Sequence, residues 1–264
     1  MIDDRVALFF KFGKYKWMKK LTEGEFSFSC AGNFIFEAQK SGNTIQGDEN
    51  EGVFARLKND DPRITEMKEK LQGDLEILPD EAPYVMLRRK SSKLKPIFCM
   101  YAYKHSDIIA DSVSPHPGSN NAKHNFHQDM YSGFSENMSS RNVLCNDERF
   151  AQVTFAKSQT LILRLKCELA LRGLGYKIDN VNYSEFEKKE FFIPPTSNYD
   201  ELFYKFPEYK NQHEARICLK DLSFANIFER YSLNIGELPE SEYKLTERPF
   251  YMITEVVFKE RKKF

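Results

Sequence analysis

Surplus charge of either sign is missing from this chain: Lys plus Arg and Asp plus Glu number 39 each, for a formal net charge of zero. No global field therefore draws it to nucleic acid or to a membrane surface, and any such contact needs a local patch. Nor is there a run of the ~20 apolar residues that a bilayer-spanning helix requires. Cysteine pairs are absent as well. The five cysteines, Cys30, Cys99, Cys145, Cys167 and Cys218, are odd in number, widely spaced and never C-x-x-C. That argues against a disulfide framework and for buried, inert thiols in a reducing compartment. The opening MIDDRVALFFKFGKYK sets acids before a short apolar run and has no small-residue cleavage site, unlike a secretory signal. The expectation is a cytoplasmic protein with no membrane partner.

Nucleotide and hydrolase signatures are lacking too. There is no G-x-G-x-x-G after a strand, no P-loop, no G-x-S-x-G elbow and no H-E-x-x-H. His116, His124 and His127 share one polar stretch, yet no cysteine pair or acid at ligand spacing completes a metal site, so no metal is expected. The loop acids Asp48, Glu49 and Glu51 depart from the alternating pattern of a calcium loop and read as a solvated turn. Two basic runs, Arg88, Arg89, Lys90, Lys93 and Lys95, and Lys259, Arg261, Lys262 and Lys263, read as solvated strand ends and termini.

What is present is a globular composition: 264 residues, 41% hydrophobic and 30% charged, with 23 Phe and 13 Tyr, where a disordered chain has few aromatics. The length suits one large domain or two small ones, and a single domain over 1–264 is expected. VALFFKF (6–12), nearly all apolar and closed by Gly13, fits a strand buried on both faces. KYKWMKKLTEG then spaces Tyr15, Met18 and Leu21 as a helix ending at Gly24. EFSFSC (25–30) alternates, with Phe26, Phe28 and Cys30 on one face and Ser27 and Ser29 on the other. Further on, 63–72 reads as an exposed helix on a stripe of Ile64, Met67 and Leu71, and 83–89 and 96–103 as strands. A long polar loop covers about 104–147. A strand at 149–156 leads into the strongest helix of the sequence, where Leu161, Leu165 and Leu169 stack along one face. The remainder reads as strands near 176–184, 209–219, 231–236 and 250–258, with helical turns over 199–211, interrupted at Pro207, and near 221–229. Without regular βαβ alternation this is an α+β chain.

The stretch YKNQHEARICL (209–219) carries the most chemistry. Gln212, Glu214 and Arg216 alternate with His213, Ala215, Ile217 and Leu219, so a strand would place Gln212 and Glu214 on one face about 7 Å apart. Such a pair can grip a ribose. The carboxylate accepts from a hydroxyl and opposes the positive charge that builds on the sugar as a glycosidic bond breaks. The same pattern also fits a strand whose outer face is simply wet, with Glu214 and Arg216 as a surface pair worth little. In either case a polar strand-face residue contributes little packing, so Glu214→Ala is expected to leave folding intact.

The Q-x-E of Gln212 and Glu214 on a late strand, together with an opening strand, helix and strand carrying Ser27-Phe28-Ser29, resembles the ADP-ribosyltransferase fold. The chain is also similar to a bacterial family of unassigned function linked with toxin or phage-defence loci, through KLTEGEFSFS, VNYS (181–184) and Tyr209 to Arg216. The resemblance implies split or mixed antiparallel sheets with flanking helices, and NAD as the ADP-ribose donor. It implies Glu214 stabilising the oxocarbenium ion, Gln212 orienting the acceptor, and Ser27 or Ser29 touching the nicotinamide ribose. Lys11 stands where the transferases show Arg or His to hold NAD, and Tyr15 and Tyr183 could offer an aromatic platform. The acceptor implied is a nucleic acid or a protein, as for a toxin or antiphage effector. The alternative is a non-enzymatic module of a defence or toxin–antitoxin system that holds an antitoxin or other protein partner.

Overall fold

A computed structural model describes residues 6–41, 47–104, 112–113, 121–124, 150–183, 186, 189–246 and 254–257. The opening follows the apolar pattern. Strand β1 (Val6–Lys14), helix α1 (Tyr15–Thr22) and strand β2 (Glu25–Cys30) succeed one another, and helix α2 (Ala31–Ser41) follows directly. Strand β3 (Val53–Lys58), helix α3 (Pro62–Leu71), and strands β4 (Leu75–Pro79) and β5 (Tyr84–Arg89) form a second group. Asp61 caps α3 by accepting from the Arg63 N–H, with Pro62 in the first turn, where its missing N–H costs nothing.

Strand β6 (Pro96–Lys104) is followed by β7 (Ser112–Val113) and β8 (Asn121–His124). Two short strands therefore fall within the stretch expected to be one polar loop. Strand β9 (Phe150–Phe155) then precedes helix α4 (Ser158–Leu171), which buries Leu161, Leu165 and Leu169 along one face as their spacing requires. Strands β10 (Tyr176–Asn180), β11 (Phe191–Phe192), β12 (Glu214–Leu219), β13 (Tyr231–Asn234), β14 (Tyr243–Thr246) and β15 (Thr254–Val257) complete the order. The interrupted turns expected over 199–211 are two 3-10 helices, Asp200–Phe203 and Pro207–Gln212, whereas 221–229 forms no helix.

The architecture is α+β, and every strand ladder among the described residues is antiparallel. The main sheet runs β10-β12-β6-β1-β9-β14, with β2 also on β6 and β13 on β2. A smaller sheet runs β11-β3-β5-β4 and packs α3 through Ile64 and Met67, and β15-β8-β7 makes a third ladder. The main core joins Phe9, Phe26, Phe28, Phe98, Val153 and Phe155 of the sheet to the buried faces of α1 and α4.

One junction of the main sheet shapes the site. β1 pairs with β6 from Lys104 down to Tyr101, while β2 takes the same edge of β6 at Ile97 and Pro96. Between these ladders the β6 edge has neither strand beside it, and Lys11 donates from its Nζ to the Cys99 carbonyl there at 2.7 Å. The sheet splits at that point.

Gly24 closes α1 at φ 87°, and a Cβ placed there would lie 2.0 Å from the Gly236 carbonyl oxygen. Both the left-handed backbone and the close approach require glycine. Gly24→Ala is therefore expected to cost on the order of 2 kcal/mol of stability, read from the urea midpoint; a loss below the error of that measurement would refute the close approach.

The thiol expectation holds only in part. Cys30 and Cys218 are buried and Cys99 is partly so, but Cys167 is exposed, because on α4 it falls on the side opposite Leu161, Leu165 and Leu169. Cys145, His105, His116, His127 and the basic run 259–263 lie outside the described residues. Of the remaining histidines in that stretch, His124 is on β8.

Candidate functional site

The site grows from β12. Its register places Glu214 opposite Tyr101 and Arg216 opposite Cys99 on β6. Ala215, Ile217 and Leu219 point into the main core, as alternation predicts, so Glu214 and Arg216 share the other face. That face is not wet: Glu214 is 7% exposed and Arg216 only 1%. The expectation of a surface pair and a dispensable side chain is thus overturned. The 3-10 segment Asp200–Phe203, Lys205 and the loop before β3 cover the face.

Arg216 is the hub. Its Nε donates to Glu214 Oε1 at 2.5 Å and its Nη2 to Glu214 Oε2 at 3.3 Å. The guanidinium also donates to both carboxylate oxygens of Glu51, with Nη2 to Oε2 at 2.9 Å, and to the Leu202 carbonyl. Lys205 Nζ lies 2.9 Å from Glu214 Oε2 and 3.9 Å from Glu51. Burial alone would push the Glu214 carboxyl up; the charges of Arg216 and Lys205 overcome it and hold the group well below the usual carboxylate range. Burial would likewise lower Lys205, but Glu214 and Glu51 raise it above its ordinary value. The Cys99 thiol and the Tyr101 and Tyr183 phenols are pushed up by burial and further by the Glu214 charge, so they stay protonated.

The loop acids are corrected as well. Glu49 is exposed, but Asp48 and Glu51 are each 1% exposed. Two glycines bracket the loop. A Cβ on Gly47 would meet the Ala38 nitrogen at 2.4 Å, and Gly52 sits at φ 76°, so the chain turns tightly against α2 and carries its acids inward. The G-D-E-N-E-G arrangement was the signal in the sequence for this.

Asp48 accepts from the Asn50 N–H at 2.8 Å through Oδ1, whereas Oδ2 is buried with no hydrogen-bond partner among the described residues. Burial, with repulsion from Glu51 and against the attraction of Lys205 and Arg216, pushes its carboxyl up to about 6 from an ordinary 3.8. The folded protein thus binds this proton more tightly than the unfolded chain. The associated stability is fully present below the unfolded value and is lost as pH rises through about 6. Asp48→Asn should therefore be more stable than the parent by about 3 kcal/mol near neutral pH, the gap closing toward zero as pH falls to the ordinary value of 3.8. Urea midpoints across that range read it, and a gap independent of pH would refute it.

Of the basic run 88–95, Arg88, Arg89 and Lys95 are likewise internal, whereas Lys90 is exposed as expected and Lys93 is partly so. Arg88 pairs with Glu76 and donates to the Glu49 carbonyl, Arg89 pairs with the fully buried Glu201, and Lys95 donates to the carbonyls of Lys220 and Leu222. These three buried charges tie β5 to the loop before β3 and to the Asp200–Phe203 turn, and the start of β6 to the loop after β12.

Gln212 is not on the strand. It ends the 3-10 helix Pro207–Gln212, and His213 follows in the left-handed region at φ 42°, so the period-two spacing fails there. Lys205 restores the proximity by donating to Gln212 Oε1 at 2.9 Å. Gln212 and Glu214 therefore line one cavity of about 350 Å³ together with Lys11, Glu51, Lys205 and Arg216. A second cavity of about 390 Å³ is lined by Ser27, Glu25, Lys20 and Arg230. Lys11, Phe12, Gly13 and Trp17 line both, so the split at β1 is their common wall.

Other sequence-derived candidates are placed elsewhere. Tyr15, Ser29 and Tyr183 line neither cavity. Tyr15 packs on the main core, and the Tyr183 hydroxyl accepts from the Glu214 N–H at 3.1 Å. Ser29 Oγ is buried without a hydrogen-bond partner among the described residues. Lys11 rests 4.7 Å from the Phe98 ring centre, and burial lowers its pKa against the pull of Cys99 and Glu214. Lys205 and Trp17 were not singled out in the sequence, and Glu51 was read there as part of a solvated turn; only the loop glycines hinted at the burial of Glu51, and only an aromatic among lysines at Trp17. No group of His, Cys, Asp or Glu able to hold a metal occurs among the described residues, and no helix among them is long and apolar enough to cross a membrane. Compared with protein-family models, curated proteins and solved structures, the chain gives no match.

Proposed function

We propose that the protein transfers ADP-ribose from NAD to a nucleic-acid or protein acceptor, in the manner of an ADP-ribosyltransferase. The observation that carries this is the convergence of Lys11, Gln212 and Glu214 on one cavity, with Ser27 in the adjoining one across the β1 wall. Each volume falls within the ~300–1,000 Å³ of small-molecule sites. In this reading the bond between ribose C1′ and the nicotinamide nitrogen breaks, nicotinamide leaves with the electron pair, and an acceptor nucleophile bonds to C1′ and gives up its proton. Glu214, kept ionised by Arg216 and Lys205, opposes the sugar cation. Lys11 faces the donor's phosphates, Ser27 the nicotinamide ribose, and Gln212 the acceptor. Directed at a host component, such a reaction would act as a toxin or antiphage effector.

One observation favours a second reading, a non-enzymatic module that holds a protein partner. Both oxygens of Glu214 are already engaged, so the acid needs no substrate to satisfy it. Incubation with adenylate-labelled NAD and cell extract separates the two. Label entering protein, DNA or RNA with release of nicotinamide supports transfer; no consumption of NAD overturns it and leaves the binding module.

A further inference from the structure

The chain as a whole is electrically balanced, but the wall between the two cavities is not. From Val6 to Thr22 there are five lysines, Lys11, Lys14, Lys16, Lys19 and Lys20, and no acid. Within this segment lies Trp17, the chain's only tryptophan, which is 50% exposed and lines both cavities. Lys16 and Lys20 stand 5.5 and 5.6 Å from its ring centre. Lys14 lines the first cavity, and the exposed Arg230 lines the second. Two of these lysines face acids at the surface: Glu23 reaches Lys19 at 4.0 Å with both side chains more than half exposed, and Glu25 reaches Lys20 at 3.2 Å.

We infer that Trp17 and the cations around it form a binding platform for single-stranded nucleic acid. A large exposed aromatic at the mouth of a cleft offers a face on which any base can stack, and neighbouring lysines can track the phosphates. A duplex keeps its bases stacked internally and would leave the indole without a partner. A membrane surface fits less well, because α1 turns its apolar residues Met18 and Leu21 into the main core, leaving Trp17 alone to insert. As a binding surface the platform stands apart from the proposed transfer. As the path of an acceptor strand it rests on that reading, and it then selects nucleic acid over protein.

Because Trp17 is the only tryptophan, its emission reports this surface alone. Titration of the full chain with a short thymidine oligonucleotide at low salt should quench that emission. With about three phosphates neutralised, affinity should fall about 20-fold for a fourfold rise in salt. By polarisation of a labelled strand, Trp17→Ala should bind about tenfold more weakly, and Arg230→Glu should flatten the salt dependence while circular dichroism stays unchanged. The inference is overturned by no quenching at low salt, by parental affinity in Trp17→Ala, or by equal binding of adenosine monophosphate or of vesicles containing phosphatidylserine. Strand binding without NAD turnover sinks the transfer and keeps the platform; NAD turnover without strand binding does the reverse.

Discussion

Arg216→Met is expected to lower unfolding stability by about 3–5 kcal/mol, the cost typical of removing one member of a buried charge group. The residue is 1% exposed and is the partner shared by Glu51 and Glu214, themselves 1% and 7% exposed. Methionine fills much of the arginine's volume, so the loss measures charge rather than cavity. Without the guanidinium, Lys205 is the cation left in ion-pair distance of the two acids among the described residues, and their buried charge is no longer matched. Against a typical total of about 5–15 kcal/mol this is a large fraction. Urea unfolding of the parent and the variant checks it. The quadruple variant Glu51→Leu, Lys205→Met, Glu214→Leu, Arg216→Met, which removes Lys205 together with both of its carboxylate partners, should regain most of the loss, since apolar replacement of an entire buried ion group is commonly neutral or better. A single-variant loss under about 1 kcal/mol would mean these charges are solvated like surface pairs.

Under the proposed transfer reaction, Glu214→Gln should depress NAD turnover by about two to three orders of magnitude, the range seen when one electrostatic contact to a developing charge is removed. Glutamine keeps an oxygen for Lys205 or Arg216 and the shape of the side chain, but it cannot oppose a sugar cation. Turnover per folded molecule is the quantity to compare, because the variant also loses stability: Arg216 and Lys205 then lose one of the carboxylates that pair with them and keep Glu51. Glu214→Ala, which the sequence suggested would fold normally, should be the less stable of the two. A folded Glu214→Gln protein turning over NAD within tenfold of the parent would remove Glu214 from the chemistry. Normal stability in Glu214→Ala would refute the burial of the charge group.

Much of the local structure was legible because it depends on spacing alone. The strand–helix–strand opening, the inward faces of β2 and α4, and the apolar side of β12 all follow from period-two or period-3.6 placement of large apolar residues. α2 and β3 were not announced in this way. Ala31, Ile35 and Ala38 are buried on α2, but glycine, asparagine and serine around them blur the stripe. The candidate site was legible only in part. Glu214 could be singled out, but Gln212 could not be placed, because the left-handed turn at His213 breaks the alternation from which its position was inferred.

By itself the sequence determined the α+β class, the apolar faces of the principal elements, and a glutamate on a late strand, since each is decided by neighbours a few residues apart. Which charges are buried was decided by tertiary structure alone. Glu51 and Arg216 are separated by 165 positions and meet because β12 and the loop before β3 close over the same face. Acids and bases far apart in the chain read one at a time as solvated; brought together out of water, each becomes the condition for burying the other.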